Sequence, residues 1–160
     1  MFQQSKTKEP DSPEHAYNYA VYLLGLSMRT EAEMRRKMTL RGYTGDVVEQ
    51  TIKRLYEDKL LDDSNYAETY LRNLKEYRTL GYYGVRKKLL EKQLPAAEVE
   101  QLLAQDFTAA DELASGKKLL QKELGADYKK SELTQEQKQK LARKLQARGF
   151  RSDVISRLLF

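Results

Sequence analysis

The sequence predicts an all-α protein of three tandem three-helix, helix-turn-helix-like repeats, forming an elongated and curved array. Three observations lead there. After Pro13 the apolar residues recur at helical rather than alternating spacing, so no sheet is expected. Displacing the sequence by 107 residues lays Leu141, Lys144, Leu145, Arg148, Gly149, Phe150, Asp153, Ile155 and Leu159 on Met34, Lys37, Met38, Arg41, Gly42, Tyr43, Asp46, Val48 and Ile52. A displacement of 51 finds a weaker copy in Val85, Lys88, Leu89, Lys92, Leu94, Val99 and Leu103, with Gln93 in place of the glycine. A unit of about 45 to 55 residues is near the lower limit for folding alone, so neighbouring repeats are expected to lean on each other.

Residues 1–13, rich in Gln, Lys, Ser and Pro, read as a flexible tail. Repeat 1 takes 14–61, and its first helix covers Ala16 to Gly25. The second helix opens at Thr30, which with Glu33 has the spacing of a capping box, and Met34 and Met38 follow on one face. Gly42 sits where a left-handed residue closes a helix. Thr44 is placed to cap the third helix, whose buried stripe is Val48, Ile52 and Leu55. Repeat 2 takes 62–105, with a helix from Ser64 to Tyr77 that carries Tyr66, Tyr70 and Leu74 on one side, and Pro95 opening its last helix. Repeat 3 takes 106–160, with a first helix from Thr108 to Leu124 and a closing pair around Arg148, Gly149 and Phe150.

Composition narrows the chemistry. The chain has no cysteine, which excludes disulfides, thiolate catalysis and zinc-finger sites. No apolar run approaches the roughly 18 residues of a membrane span, and the N-terminus lacks a signal-peptide core, so a cytoplasmic monomer without membrane contact is expected. No phosphate loop, HExxH or GxSxG motif occurs. The single histidine, His15, reads as exposed or helix-packing. Asp62 and Asp63 read as helix-capping acids rather than Mg²⁺ ligands, and GYYG (Gly81 to Gly84) as a hinge or turn. No enzyme activity and no cofactor are expected.

The formal net charge is +5, and its placement matters more than its size. Each repeat carries a basic pair at i, i+4 in its middle helix: Lys37 with Arg41, Lys88 with Lys92, Lys144 with Arg148. Such pairs cost an isolated helix about 0.2 to 0.5 kcal/mol. They can be inherited by duplication, their stems covering a core edge. Neighbours enlarge each pair into a cluster: Arg35 and Arg36; Arg72, Lys75, Arg78, Arg86 and Lys87; Arg143. Tyr82 and Tyr83 interleave with the central group, where tyrosine can stack on an unpaired base while cations hold the backbone. The stretch Glu98 to Glu112, five acids and no base, reads as a solvated helix face. A helix-turn-helix reader of duplex DNA is the rival, but the helix after the first tight turn has only Lys53 and Arg54, near its end.

The run TEAEMRRKMTLRGYTGDVVEQTIKRLYEDKLLDDSNYAETYLRN, Thr30 to Asn73, and the run LARKLQARGFRSDVISRLL near the C-terminus resemble the RecX family of bacterial recombination regulators. The likeness rests on an ordered set: capped basic helix, arginine-glycine-aromatic turn, LLDD before an aromatic-alanine helix, GYYGVRKKL, and a second arginine-glycine-aromatic turn. Gln93 and Leu94 depart from the outer repeats, GYYG departs slightly from the family's Gly-Tyr-Gly-like turn, and Met1 to Pro13 match nothing. The resemblance implies a non-enzymatic regulator in homologous recombination, DNA repair and the SOS response. Such a protein binds the groove of the RecA filament, limits its assembly or activity, and binds single-stranded and double-stranded DNA. Filament or DNA contact would fall on Arg35, Arg36, Lys37 and Arg41; on Arg72, Lys75, Arg78, Tyr82, Tyr83, Arg86, Lys87, Lys88 and Lys92; and on Arg143, Lys144 and Arg148.

Overall fold

The computed structural model describes residues 5–160. Nine α-helices, one short 3₁₀ turn at Lys130–Glu132 and no strand occur among the described residues. The helices are α1 (Pro13–Leu26), α2 (Glu31–Arg41), α3 (Gly45–Glu57), α4 (Asp63–Tyr77), α5 (Tyr82–Glu91), α6 (Ala96–Asp106), α7 (Ala109–Leu124), α8 (Gln135–Ala147) and α9 (Ser152–Leu159). They fall into the three expected triplets.

Helices begin where the sequence supplies acceptors for orphan amides. The pairs Thr30 with Glu33, Thr108 with Asp111 and Thr134 with Gln137 close full capping boxes ahead of α2, α7 and α8. Asp62 accepts the Asn65 amide at 3.0 Å, and Asp63 accepts the Glu31 amide at 2.8 Å, so this acidic pair serves two helix starts. Thr44 departs from expectation. It holds the N-cap position of α3 without a side-chain bond, and its amide donates to the Pro10 carbonyl at 3.1 Å.

The chain packs as two compact units, Met1–Tyr66 with Lys92–Leu94, and Ala67–Glu91 with Pro95–Phe160. In the first, α1, α2 and α3 enclose Ala16, Ala20, Leu23, Met34, Met38, Val48, Ile52 and Leu55. In the second, α7, α8 and α9 enclose Leu119, Leu120, Leu141, Leu145, Phe150, Val154 and Leu159. Both cores use the stripes that helical spacing predicts.

These units do not follow the repeat boundaries, and one joint, used twice, explains why. In each case the amino end of a repeat's middle helix receives the turn of the following repeat. Thr30 Oγ1 donates to the Lys92 carbonyl at 3.2 Å in the first unit. In the second, the Gly81 and Tyr83 amides donate to the carbonyls of Arg148 (3.1 Å) and Gly149 (2.9 Å). GYYG is therefore the docking point at the start of α5. Residues 1–4 of the expected tail lie outside the described residues. From Ser5 onward the segment lies on the turn of repeat 1, where the Thr7 amide donates to the Arg41 carbonyl at 2.8 Å.

The three turns share one backbone conformation. Gly42 has φ +97°, Gly149 φ +82° and Gln93 φ +58°. In the outer two, the glycine amide bonds back three residues and the following aromatic amide five, from Tyr43 to Met38 and from Phe150 to Leu145, which is the Schellman arrangement. Gln93 thus pays the left-handed penalty that its glycine counterparts avoid. Gln93→Gly is expected to stabilise the protein by about 0.5 kcal/mol, the penalty less the extra freedom of the unfolded chain. Urea denaturation checks it, and a loss of stability would contradict it.

Candidate functional site

On α2, Met34 and Met38 face the core, leaving the cations on the remaining arc. Arg35 is fully engaged. Its Nη atoms donate to both carboxylate oxygens of Glu49, and its Nε donates to Glu31 at 2.8 Å. The Glu49 bond holds its pKa above the ordinary arginine value against the opposing effect of burial. Arg36 is exposed and Lys37 half-buried, and neither forms a salt bridge among the described residues. Arg41 donates through Nη1 to the Ser5 carbonyl and lies 5.3 Å from the centroid of the Tyr19 ring, while its Nε is buried without a partner. Lys92 belongs to this unit. It donates to Glu33 at 3.0 Å, and that bond raises its pKa.

In the second unit, Arg72, Lys75 and Arg78 converge on a groove of about 520 Å³ with Leu71, Leu74, Val85 and Phe107 among its walls. Lys118 of α7 joins them. Nothing local marks it, because Lys117 and Lys118 sit in an unremarkable helical stretch. Lys75 is committed to Asp111 (3.0 Å) and to the Asp106 carbonyl (2.9 Å), whereas Arg72 and Arg78 are exposed and form no salt bridge among the described residues. Arg86 donates to Glu100, a bond that holds that carboxyl below its usual range. Tyr82 donates to the same Glu100 at 3.2 Å and lies 4.9 Å from the Arg151 guanidinium, so its ring is occupied. Its hydroxyl pKa is raised by burial and then by Glu100. Tyr83 is 58% exposed and keeps a face for stacking.

Lys87 is exposed without a salt bridge among the described residues, and Lys88 pairs with Glu91 at 3.3 Å. On α8, Arg143 is exposed and donates to the Gln139 carbonyl at 3.4 Å, while Lys144 pairs with Glu123 at 2.6 Å and holds that carboxyl below its usual range. Arg148 donates to Thr79 through its carbonyl (3.2 Å) and hydroxyl (2.9 Å). The three i, i+4 pairs are alike in sequence and unlike in use. Five of their six members are drawn to separate acceptors, which offsets the like-charge cost.

The solvated-face reading of Glu98 to Glu112 fails at its last residue. Glu112 is fully buried. Its Oε1 accepts the amides of Tyr82 (3.0 Å) and Arg151 (2.9 Å), and its Oε2 accepts Arg151 Nε at 2.7 Å. One carboxylate on α7 thus ties the start of α5 to the start of α9. Arg151 belongs to the same hub, through partners 39 residues away that no local pattern marks. The entrances of α3 and α9, where a duplex-reading helix would present free polar groups, are instead occupied by Pro10 and Glu112.

His15 is half-buried, with Nδ1 2.7 Å from the Tyr43 hydroxyl. No group of three or more His, Cys, Asp or Glu that could hold a metal ion occurs among the described residues, and no described helix is long and apolar enough to cross a membrane.

Helix order, capping and turn geometry define a tandem three-helix repeat protein. The family models for the first and third three-helix domains of RecX match residues 16–55 and 110–159, more than half of the chain. The chain belongs to the RecX family. The Regulatory protein RecX of Halalkalibacterium halodurans is 30% identical over 145 residues, covering 91% of this chain and 53% of that protein. That of Trichlorobacter lovleyi is 26% identical, covering 92% of this chain and 96% of that protein. The chain spans about half the length of several curated relatives, including that of Geobacillus kaustophilus at 54%. The crystal structure of RecX from Lactobacillus salivarius superposes with TM-score 0.80 over 91% of this chain and 93% of that one, at 24% identity. A second crystal structure of regulatory protein RecX gives TM-score 0.78 at 27% identity, covering 91% of this chain and 70% of that one.

Proposed function

We propose that this protein regulates homologous recombination without catalysis, by binding the RecA nucleoprotein filament and its DNA and limiting RecA activity. Membership of the RecX family carries this reading, and the unengaged cations supply its chemistry. Arg36, Lys37, Arg72, Arg78, Lys87 and Arg143 form no salt bridge among the described residues, so they would meet phosphate without first surrendering one. Arg35, Lys75, Arg86, Lys88, Lys92 and Lys144 would have to surrender an internal partner, so they contribute less. Several weak contacts along a filament add through effective concentration.

The test is RecA-dependent ATP hydrolysis on single-stranded DNA with sub-stoichiometric amounts of this protein. Inhibition is expected, and the triple variant Arg72→Glu, Arg78→Glu, Lys87→Glu should need about tenfold more protein for the same effect, with a shallower salt dependence. If the unaltered chain does not inhibit, the reading is rejected. Sequence-selective duplex binding without RecA would instead favour a stand-alone DNA-binding protein.

A further inference from the structure

In repeats 2 and 3 the carbonyl that precedes the left-handed turn residue, on Lys92 and Arg148, is taken by the middle-helix end of the preceding repeat. In repeat 1 the corresponding carbonyl, on Arg41, is taken by the Thr7 amide. The same segment seizes the Arg41 guanidinium through the Ser5 carbonyl, and the Lys6 stem lies against Gly42. We infer that residues 5–10 form a displaceable strap, which fills the place of a preceding repeat and withholds Arg41, beside Arg36 and Lys37, from a polyanionic ligand. This rests on the phosphate-binding reading proposed above and adds its regulation.

The bonding argues that the strap is held loosely. It contributes a few backbone hydrogen bonds at a solvent-exposed edge, each with a net worth of the same order as the cost of ordering one residue. With the strap in place the Arg41 Nε is buried with no hydrogen-bond partner among the described residues, a demand that a phosphate would relieve. By contrast, the joints at Lys92 and Arg148 hold helix ends that the rest of the fold already orders. A polyanion that outbids the Ser5 carbonyl for Arg41 would therefore open repeat 1 and leave the other two turns docked.

Binding of fluorescein-labelled dT20 is compared for the full chain, a variant lacking residues 2–10, and that variant with Arg41→Gln. Although the deletion removes Lys6 and Lys8, it should tighten binding about tenfold, the lower end of what one hydrogen bond to a charged group supplies, and Arg41→Gln should abolish the gain. Should the deletion impair folding by circular dichroism, Thr7→Pro in the full chain removes the amide donor to Arg41, together with the hydroxyl that accepts the Glu9 amide, and should tighten binding in the same direction. In the unaltered chain, hydrogen exchange at the Thr7 amide should quicken when dT20 saturates it. Equal or weaker binding by the released variants, a gain that survives Arg41→Gln, or a Thr7 amide equally protected with and without dT20 would overturn the strap. If the full chain still inhibits RecA, the proposed function survives that result; if no form binds DNA, the phosphate reading falls and the strap with it.

Discussion

Glu112→Ala is expected to cost the second unit about 3 to 5 kcal/mol, the range found when one partner of a buried ion pair is removed. The carboxylate is fully buried and satisfies two backbone amides as well as the Arg151 guanidinium. Alanine strands the two backbone amides at the buried carboxylate's site and leaves the half-buried Arg151 guanidinium without its anion. Glu112→Gln keeps the volume and one carbonyl acceptor, so its cost should be smaller, about 1 to 3 kcal/mol. Urea titration gives the magnitudes. Hydrogen exchange gives the location, since the amides of Tyr82 and Arg151 should lose protection while those of α1 to α3 do not. A change in stability of under about 1 kcal/mol for the alanine variant would mean that the hub is not an important contributor.

Gly149→Ala is the second large effect, with an expected loss of about 3 kcal/mol or more, against about 1 to 2 for Gly42→Ala. Both glycines are left-handed, at φ +82° and +97°, so both substitutions incur the steric penalty of that region. Only Gly149 also has backbone against it: an added Cβ would stand 2.0 Å from the Gly84 amide nitrogen and 2.7 Å from its Cα. At Gly42 the nearest atoms belong to the flexible Lys6 side chain, no closer than 3.6 Å. Equal losses for the two variants, measured side by side by urea denaturation, would show that the turn-to-helix approach contributes little.

What the sequence discloses and what it hides divide along contact range. Capping boxes, the left-handed turn and the apolar stripes arise within one or two helical turns, so Thr30 with Glu33, Gly42, and Met34 with Met38 are readable directly. Their recurrence makes the three-helix unit readable as well. Glu112 is hidden because it follows Asp111 in an acidic stretch and nothing local sets it apart. Its burial is decided by Tyr82 and Arg151, 30 and 39 residues away. The same limit applies to the candidate surface, where sequence identifies the cations but not which of them are spoken for. Arg36 and Arg35 are neighbours, yet one is unengaged and the other is held by two glutamates. The contacts of Ser5 and Thr7 with Arg41 are hidden for a different reason: they run mainly through the backbone, so a composition typical of a tail carries no trace of them.

The joint between a turn and the next helix end has a consequence for how such chains can lengthen. Because it is built from main-chain groups and a few small residues, another three-helix module can be spliced in without inventing a new interface. Growth by whole modules is therefore sterically cheap, whereas a partial module would leave a carbonyl unmet at one seam. The same modularity concentrates vulnerability at the seams, where a single added methyl group meets the backbone of the neighbouring repeat.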